Sequence, residues 1–411
     1  MKNRKITFGE LSAILDVSKA TVNSWANKGT FPVHTDSNGT PFFYERELLS
    51  IPEVARMANT RWDEECKIKP NRDYTSVELF AGAGGLALGM SLAGFKHVLL
   101  NEYDHDACET LRKNKPKWNV IEGDIHNIDF LPLRDKVDLL TGGFPCQAFS
   151  YAGKGGGFND ARGTLFFELA RAAKEINPKV IMCENVKGLT THDNGNTFRV
   201  IKNTICELGY TLYEPQVLKA CCYKVPQKRE RIILVAVRND LLKDKDVRFV
   251  YPEPFHRVLT LRDAFYKGVL YKQDVPLSIG QKYPQKKQAV MTLVPEGGDW
   301  RDLPDDVARS YMGGSYHLGG GKTGMARRLS LDEPSLTLTC APAQKQTERC
   351  HPTETRPLTV REYARIQTFP DKWEFVGDLT SQYKQIGNAV PVNMAAAVGR
   401  SLVRLLNELE K

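Results

Sequence analysis

The chain of 411 residues has no uninterrupted apolar stretch near the roughly 18 residues of a membrane span. Its first segment, MKNRKITFGELSAIL, lacks the apolar h-region of a signal peptide. Both absences argue against a membrane class, and a cytoplasmic protein is expected. Paired or metal-bound cysteines are also missing. The nine cysteines, an odd number that includes the adjacent Cys221 and Cys222, fit no zinc-site spacing and no disulfide framework. They read as reduced thiols, and no metal is expected. Internal repeats, long low-complexity tracts and a GxGxxG dinucleotide fingerprint are absent too, which argues against repeat arrays and dehydrogenases. What remains is an ordinary globular composition, 41% hydrophobic and 26% charged, with a net charge of +8. That mild basic bias is compatible with a polyanionic partner and favours nucleic acid only slightly.

Residues 1–68 read as a separate unit, with the polar stretch RWDEECKIKPNRD as a linker to the rest of the chain. In FGELSAILDVSKATVNSWANKGTFP the side chains of Leu11, Ile14, Leu15, Val17, Val22 and Trp25 give two short helices one shared apolar seam. Asp16, Val17 and Ser18 make the turn, and Ser18 is suited to cap the second helix. Asn38-Gly39 then marks a hairpin between strand formers, as a wing would need. The segment resembles winged helix-turn-helix modules of the MerR and excisionase type. Its second helix would present Lys19, Thr21, Asn23, Ser24 and Lys28 to a major groove. A small helical docking domain is the alternative.

From residue 74 to 244, apolar strands (YTSVELF, FKHVLLN, WNVIEGD, VDLLTGG, KVIMCENV) alternate with helical stretches. This pattern predicts an α/β domain with a doubly wound, mostly parallel, Rossmann-like sheet. Residues 245–350 lose periodicity and read as a smaller irregular domain; regularity returns over 351–411, ending in a helical apolar stripe.

Residues able to do chemistry fall at the predicted strand ends, where open α/β sheets bind ligands. In ELFAGAGGLALGM, Gly82, Gly84 and Gly85 join the first strand to its helix, either as a close approach to a nucleotide or as a plain tight turn. Glu102 ends the second strand, placed for ribose hydroxyls, and Asp124 ends the third, placed for an exocyclic amine. Each acid alone is as readily a surface carboxylate; three suitable groups on consecutive strands point to an adenosine compound. Cys146 follows the fourth strand and Glu184 ends the fifth. A thiol there is either packing or a nucleophile, and a partly buried glutamate can donate a proton near neutral pH. Gln227, Arg229 and Arg231 stand at alternate positions and so face one way, a row of donors for an anion or a solvated edge.

In this order the motifs FAGAGG, NEYD, GDI, GFPCQAFS, ENVKGL, QKRER, RPLTVREYARIQTFPD and YKQIGNAVPV resemble the cytosine-C5 DNA methyltransferases of bacterial restriction-modification systems. The match spans residues 74–240 and about 350–405; Glu78 replaces a common aspartate, and Ala83 stands at a variable position. The resemblance implies an S-adenosyl-L-methionine pocket made by Phe80, Ala81, Gly82, Gly84, Gly85, Glu102, Tyr103, Asp124, Ile125, Pro145 and Asn388. It implies that Cys146 attacks C6 of a flipped cytosine while Glu184 protonates N3, with Arg229 near O2 and the thiol and Arg231 in the same anionic surroundings. DNA contacts would come from Ser150, Lys154, Arg162 and Gln227, with Gly153, Gly155, Gly156 and Gly157 making a mobile cover. Residues 245–350 would choose the sequence, with Lys322, Arg327, Arg328 and Lys345 as candidate contacts. A monomer acting on double-stranded DNA is expected, with a cognate restriction endonuclease as genetic partner only. Two other readings stay open: a transfer-RNA cytosine methyltransferase and an inactive DNA-binding regulator.

Overall fold

At the N-terminal end of the computed structural model, which describes residues 4–144, 165–317 and 322–411, β1 (Lys5–Thr7) leads into α1 (Phe8–Leu15) and α2 (Lys19–Asn27). Then come β2 (His34–Thr35), β3 (Pro41–Tyr44), α3 (Pro52–Ala58) and α4 (Trp62–Glu65). Asp16 stops α1 by entering the left-handed region at φ 57°, and the Ser18 side chain caps α2 by accepting from Thr21 N–H. The three strands pair antiparallel in the order β1-β3-β2.

The stretch expected as a linker is not one. Trp62 is buried in the main core and meets Phe255 edge-on at 5.5 Å. Glu65 is buried as well; it pairs with Arg404 at 2.9 Å and accepts the Glu253 N–H. One tryptophan in a polar run suffices, because burying so large a ring stabilises by about 2–3 kcal/mol while its exposed charged neighbours stay solvated at no cost.

The five apolar segments form β4 (Thr75–Leu79), β5 (Lys96–Glu102), β6 (Val120–Glu122), β7 (Leu139–Gly142) and β8 (Val180–Val186). Between them run α5 (Gly85–Ala93), α6 (His105–Asn114) and α7 (Leu165–Ile176). After β8 come α8 (Asn196–Glu207), β9 (Tyr210–Leu212), β10 (Gln216–Lys219), β11 (Gln227–Lys228) and β12 (Glu230–Arg238). The sheet order is β10-β12-β8-β7-β4-β5-β6, with β9 also paired to β12. β4 to β8 pair in parallel and β12 runs antiparallel to β8. Alternation along β8 feeds two cores: Val180 and Met182 face one side with Leu86 and Met90, and Ile181 and Cys183 face the other with Phe166 and Leu169. From β4 the chain winds outward in both directions, so a crevice opens at the carboxyl ends of β4 and β7.

The irregular region has short elements, α9 (Leu261–Phe265), α10 (Gln285–Thr292), α11 (Asp305–Met312) and β13 (Ser335–Leu336), around a small core that includes Tyr283, Met291, Val294 and Leu303. β13 pairs in parallel with β11, which ties this region to the sheet's edge. Last come α12 (Val360–Ile366), α13 (Leu379–Asn388) and α14 (Val392–Leu409). Leu379–Leu409 is apolar and long enough to span a membrane by length and composition, yet 72% of its most apolar window is buried, as for a core helix. α14 lies against α5 so closely that a Cβ on Gly89 would come within 2.3 Å of Ala395 Cβ.

Gly89→Ala should therefore destabilise the protein, although alanine gains about 1 kcal/mol of helix propensity over glycine. Gly188, with no atom near a new Cβ, is the control and should tolerate alanine without loss. Thermal melts decide; equal midpoints for the two variants would reject the close-approach account.

Candidate active site

The loop after β4 is built from residues that tolerate left-handed backbone, with one exception. Gly82 and Gly84 take φ of 54° and 85°, as glycine readily does. Phe80 takes φ 58°, which for a bulky side chain costs on the order of 1–3 kcal/mol and persists only where the surroundings enforce it. The loop is held by Glu102 at the end of β5: its Oε2 accepts Gly82 N–H at 2.7 Å and its Oε1 accepts the Tyr103 and Asp104 N–H groups at 2.8 Å.

Above this loop is a cavity of about 870 Å³. Phe80, Ala81, Gly82, Gly85, Glu102, Tyr103, Glu184, Arg229, Arg231 and Asn388 all line it. Its far wall comes from late in the chain, Thr337 to Cys340 and Lys384 to Val390. The late wall approaches because Gly85 has no side chain; a Cβ there would lie 2.3 Å from the Val390 carbonyl oxygen.

Glu184, on β8, is almost fully buried and receives the Arg231 Nε at 2.6 Å through Oε1. Its Oε2 faces Gly143, where a Cβ would come within 2.8 Å. One carboxylate oxygen is thus anchored and the other meets backbone that a side chain would block. Arg229 is buried differently. Its Nη1 donates to the carbonyls of Gly387 at 3.1 Å and Leu338 at 3.4 Å, and Nη2 donates to Asn388 O at 3.4 Å. Burial, and next the repulsion of Arg231, bring its guanidinium down to about 9. Arg231, and not Arg229, therefore touches the candidate acid, while Arg229 holds the late wall in place.

A family model for C-5 cytosine-specific DNA methylases matches residues 74–404. The chain belongs to that family. It is 60% identical to the Type II methyltransferase M.Eco47II of Escherichia coli, over 100% of this chain and 98% of that one. It is 58% identical to the Type II methyltransferase M.PspPI of a Psychrobacter strain, over 97% and 95%. The fold resembles that of a prophage-encoded Escherichia coli protein ascribed to DNA modification methyltransferases: TM-score 0.58, 23% identity, 82% of this chain and 100% of that one covered. The protein is a DNA (cytosine-5-)-methyltransferase. The family match leaves out the first 73 residues.

For the remaining candidates the outcomes differ. Pro145, Cys146, Ser150, Lys154 and Arg162 lie outside the described residues. Gly84 turns away from the cavity and packs against Leu111 and Trp373. Ile125 is in the core beneath the sheet. Asp124 is half exposed, accepts His126 N–H at 3.0 Å and is not among the cavity's lining residues. Gln227 requires correction as a DNA contact: it is fully buried, donates to Gln367 Oε1 at 2.9 Å and accepts Leu338 N–H at 3.0 Å. Its side chain braces β11 against the late wall. Arg328 is likewise buried, giving its donors to the carbonyls of Met291, Val294, His351 and Glu354. Asn23 on α2 and Lys28 at its C-terminal cap are exposed, Thr21 Oγ1 meets Ser18 Oγ, and Lys19 pairs with Glu333 in the irregular region.

The site also contains groups that sequence reasoning misses. Lys384 pairs with Asp104 at 2.8 Å across the cavity mouth, whereas within YKQIGNAVPV the sequence marks only Asn388. Cys340 Sγ donates to Asn388 Oδ1 at 3.2 Å. Glu78, visible in sequence only as a departure from aspartate, is fully buried at the cavity floor; its Oε1 lacks a well-formed hydrogen bond among the described residues. The lining suits an adenosylated amino acid: acceptors at Glu102 for hydroxyls, an aromatic ring at Phe80, one Glu78 oxygen without a well-formed hydrogen bond, and open space above Gly82.

Burial pushes Glu78 up to about 8 from an ordinary 4.5. Folding then takes up a proton between those values, so this group's contribution to stability is full below about pH 4.5 and is lost as pH rises toward 8, at about 1.4 kcal/mol per unit at most. Glu78→Gln cannot ionise and should lack this loss, gaining on the wild type from pH 5 to pH 8 in denaturant titrations. Parallel pH profiles would contradict the burial.

Proposed function

We propose that the enzyme methylates C5 of a cytosine at a specific double-stranded DNA site, using S-adenosyl-L-methionine and a covalent bond to Cys146. The observation that carries this reading is the Glu184–Arg231 pair opening into the same cavity as Phe80, Glu102 and Asn388. S-adenosyl-L-methionine, when bound, supplies an electrophilic methyl group. Phe80 would pack on its adenine, Glu102 would accept from the ribose hydroxyls, and Asn388 would help close the pocket. The cytosine must leave the stack to enter, at an unstacking cost of about a few kcal/mol.

Arg231 fixes the Glu184 carboxyl through Oε1, leaving Oε2 to engage the N3 edge of the base and to share a proton with it. Protonating N3 takes up the negative charge that addition would place on the ring, and so makes C6 electrophilic. The Cys146 thiolate adds there, and the sulfur–C6 bond makes C5 nucleophilic. After methylation, which leaves the donor as a neutral thioether, loss of the C5 proton to a base re-forms the C5–C6 double bond, expels the thiolate and returns the N3 proton to Glu184. The sulfur is regenerated, and no electrons are gained or lost by the protein.

The biological role that fits is protection of DNA from a cognate restriction endonuclease, as the Type II methyltransferase names of M.Eco47II and M.PspPI suggest. Residues 1–68, with two helices joined by a capped turn and a hairpin behind them, fit a DNA-binding unit that regulates transcription of its own system.

Bisulfite sequencing of DNA from cells expressing the protein should reveal one modified cytosine context. Cys146→Ala should abolish transfer while retaining cofactor binding, and Glu184→Gln should lower kcat by about 10²-fold or more. Persisting turnover in Cys146→Ala rejects the covalent route. Gel shifts of the full-length chain on its own upstream DNA test regulation; equal affinity for random duplex removes it.

A further inference from the structure

The reaction described above makes no use of α1, α2 and the β2–β3 hairpin, yet their seat on the rest of the protein is closely specified. Ile6, Leu11, Ile14 and Val22 share one core with Cys221 and Val258. Lys219 Nζ donates to the Ile14 carbonyl at 2.9 Å, and Glu10 Oε1 accepts Val258 N–H at 3.1 Å. An interface built this way holds the unit as part of the body, since separating it would expose apolar side chains on both sides.

Three polar contacts show where that seat lies. Asp16, in the α1–α2 turn, stands 3.6 Å from Lys187 Nζ, and Lys187 is three residues beyond Glu184. Lys228, the neighbour of Arg229, donates to Ser12 Oγ at 3.3 Å. Lys19, in the first turn of α2, pairs with Glu333, two residues before β13, the strand that runs into the cavity wall at Thr337. All three contacts fall on chain segments that also carry cavity-lining residues: Glu184 to Val186, Arg229, and Thr337. Three residues of chain span at most about 10 Å, and the two side chains add a similar length. At about 3.4 Å per base pair, the α1–α2 turn is thus anchored within roughly six base pairs of a cytosine entering the cavity.

Cations also gather at this seam. Burial lowers the ammonium groups of Lys19 and Lys228 below the ordinary lysine range, and repulsion from Arg327 lowers both further. Glu333 pairs with Lys19, and Asp299 with Asp302 beside it faces Arg327 and Arg301, while Lys228 and Lys28 form no ion pair among the described residues. Along α2 and at its C-terminal cap, Asn23, Asn27 and Lys28 are exposed.

We propose that α2 and the Lys19–Lys228–Arg327 cluster at its foot bind the phosphate backbone of the very duplex being methylated, on one side of the target cytosine. This rests on the duplex-DNA reading above and deepens it: the N-terminal unit is part of the substrate surface, whatever else it binds. The shared core favours this over a detachable reader of a distant site.

The test uses the full-length chain and a duplex carrying one site found by bisulfite sequencing, long enough to extend past the protein on both sides. Hydroxyl-radical footprinting should show protection reaching further on one side of the cytosine. The double variant Asn23→Asp with Lys28→Glu, both on the solvent face, should lose that extension. It should also flatten the dependence of log affinity on log salt by about 0.9 for each phosphate no longer neutralised, and raise KM several-fold with kcat held. A footprint and salt slope identical to wild type would overturn the proposal. Methyl transfer is measured in the same samples as a separate readout: a wild-type footprint without transfer strikes the methylation reading and leaves the footprint comparison to decide this one.

Discussion

The contact between α5 and α14 is the constraint on which the site depends. α5 begins at the loop that follows the first sheet strand, and α14 begins at the residues that close the cavity from the other end of the chain. The two helices can approach only because Gly85, Gly89 and Gly399 leave room: a Cβ on each would fall within 2.3 to 2.7 Å of Val390 O, Ala395 Cβ and Ala93 Cβ respectively. Once the helices are in contact, Gln367 donates to the carbonyls of Ile386 and Ala389, and Gln227 is bonded to Gln367 in turn. A cavity wall more than three hundred residues away from the loop it faces is thereby set by helix packing, with a buried pair of amides fixing its register. Close packing transmits position here because a well-packed interior yields little.

Buried arginines have a second role that the charge total conceals. In segments with few helices or strands, backbone carbonyls need donors from somewhere, since an unpaired buried carbonyl costs about as much as a lost hydrogen bond. Arg365, wholly buried, donates to the carbonyls of Ala264, Phe265, Gln273 and Asp274 and forks onto Asp371. Arg328 serves four carbonyls of the irregular region, Arg349 serves Thr337 and Glu348, and Arg229 serves the late cavity wall. The planar guanidinium, with five donors and no acceptor, is suited to this work. A net charge of +8 is then a poor count of cations available to DNA, because several are engaged inside.

This explains which parts were legible in the sequence. Strands such as KVIMCENV declare themselves through continuous apolar runs that end in glycine or acid, and the cap at Ser18 is a local event decided within three residues. Glu184 and Glu102 could be placed because strand ends converge on one edge of an open sheet, and Phe80 only through the motif resemblance. Gln227, Arg328 and the supposed linker around Trp62 could not, because a residue's type does not say whether tertiary partners exist for it. A glutamine that finds another glutamine and a backbone amide is buried; the same glutamine without them faces water. Asp124 has the right strand end but a near neighbour, His126, that engages it locally.

Alternation of side chains places Arg229 and Arg231 on the same face, and both do line the cavity, yet their environments divide the labour between them. Two guanidinium groups brought together in a dry site repel, and the energy falls if one takes a carboxylate and the other takes neutral dipoles. Arg231 has Glu184; Arg229 has the carbonyls of residues 338, 387 and 388. The carboxylate partner goes to the arginine nearer β8, because β12 pairs with β8 in a register that sets Arg231 opposite Val186 and Ile233 opposite Glu184. A strand register thus decides which arginine orients the candidate acid and which one fastens the wall behind it. Shifting that register by one residue would turn both away from the cavity together.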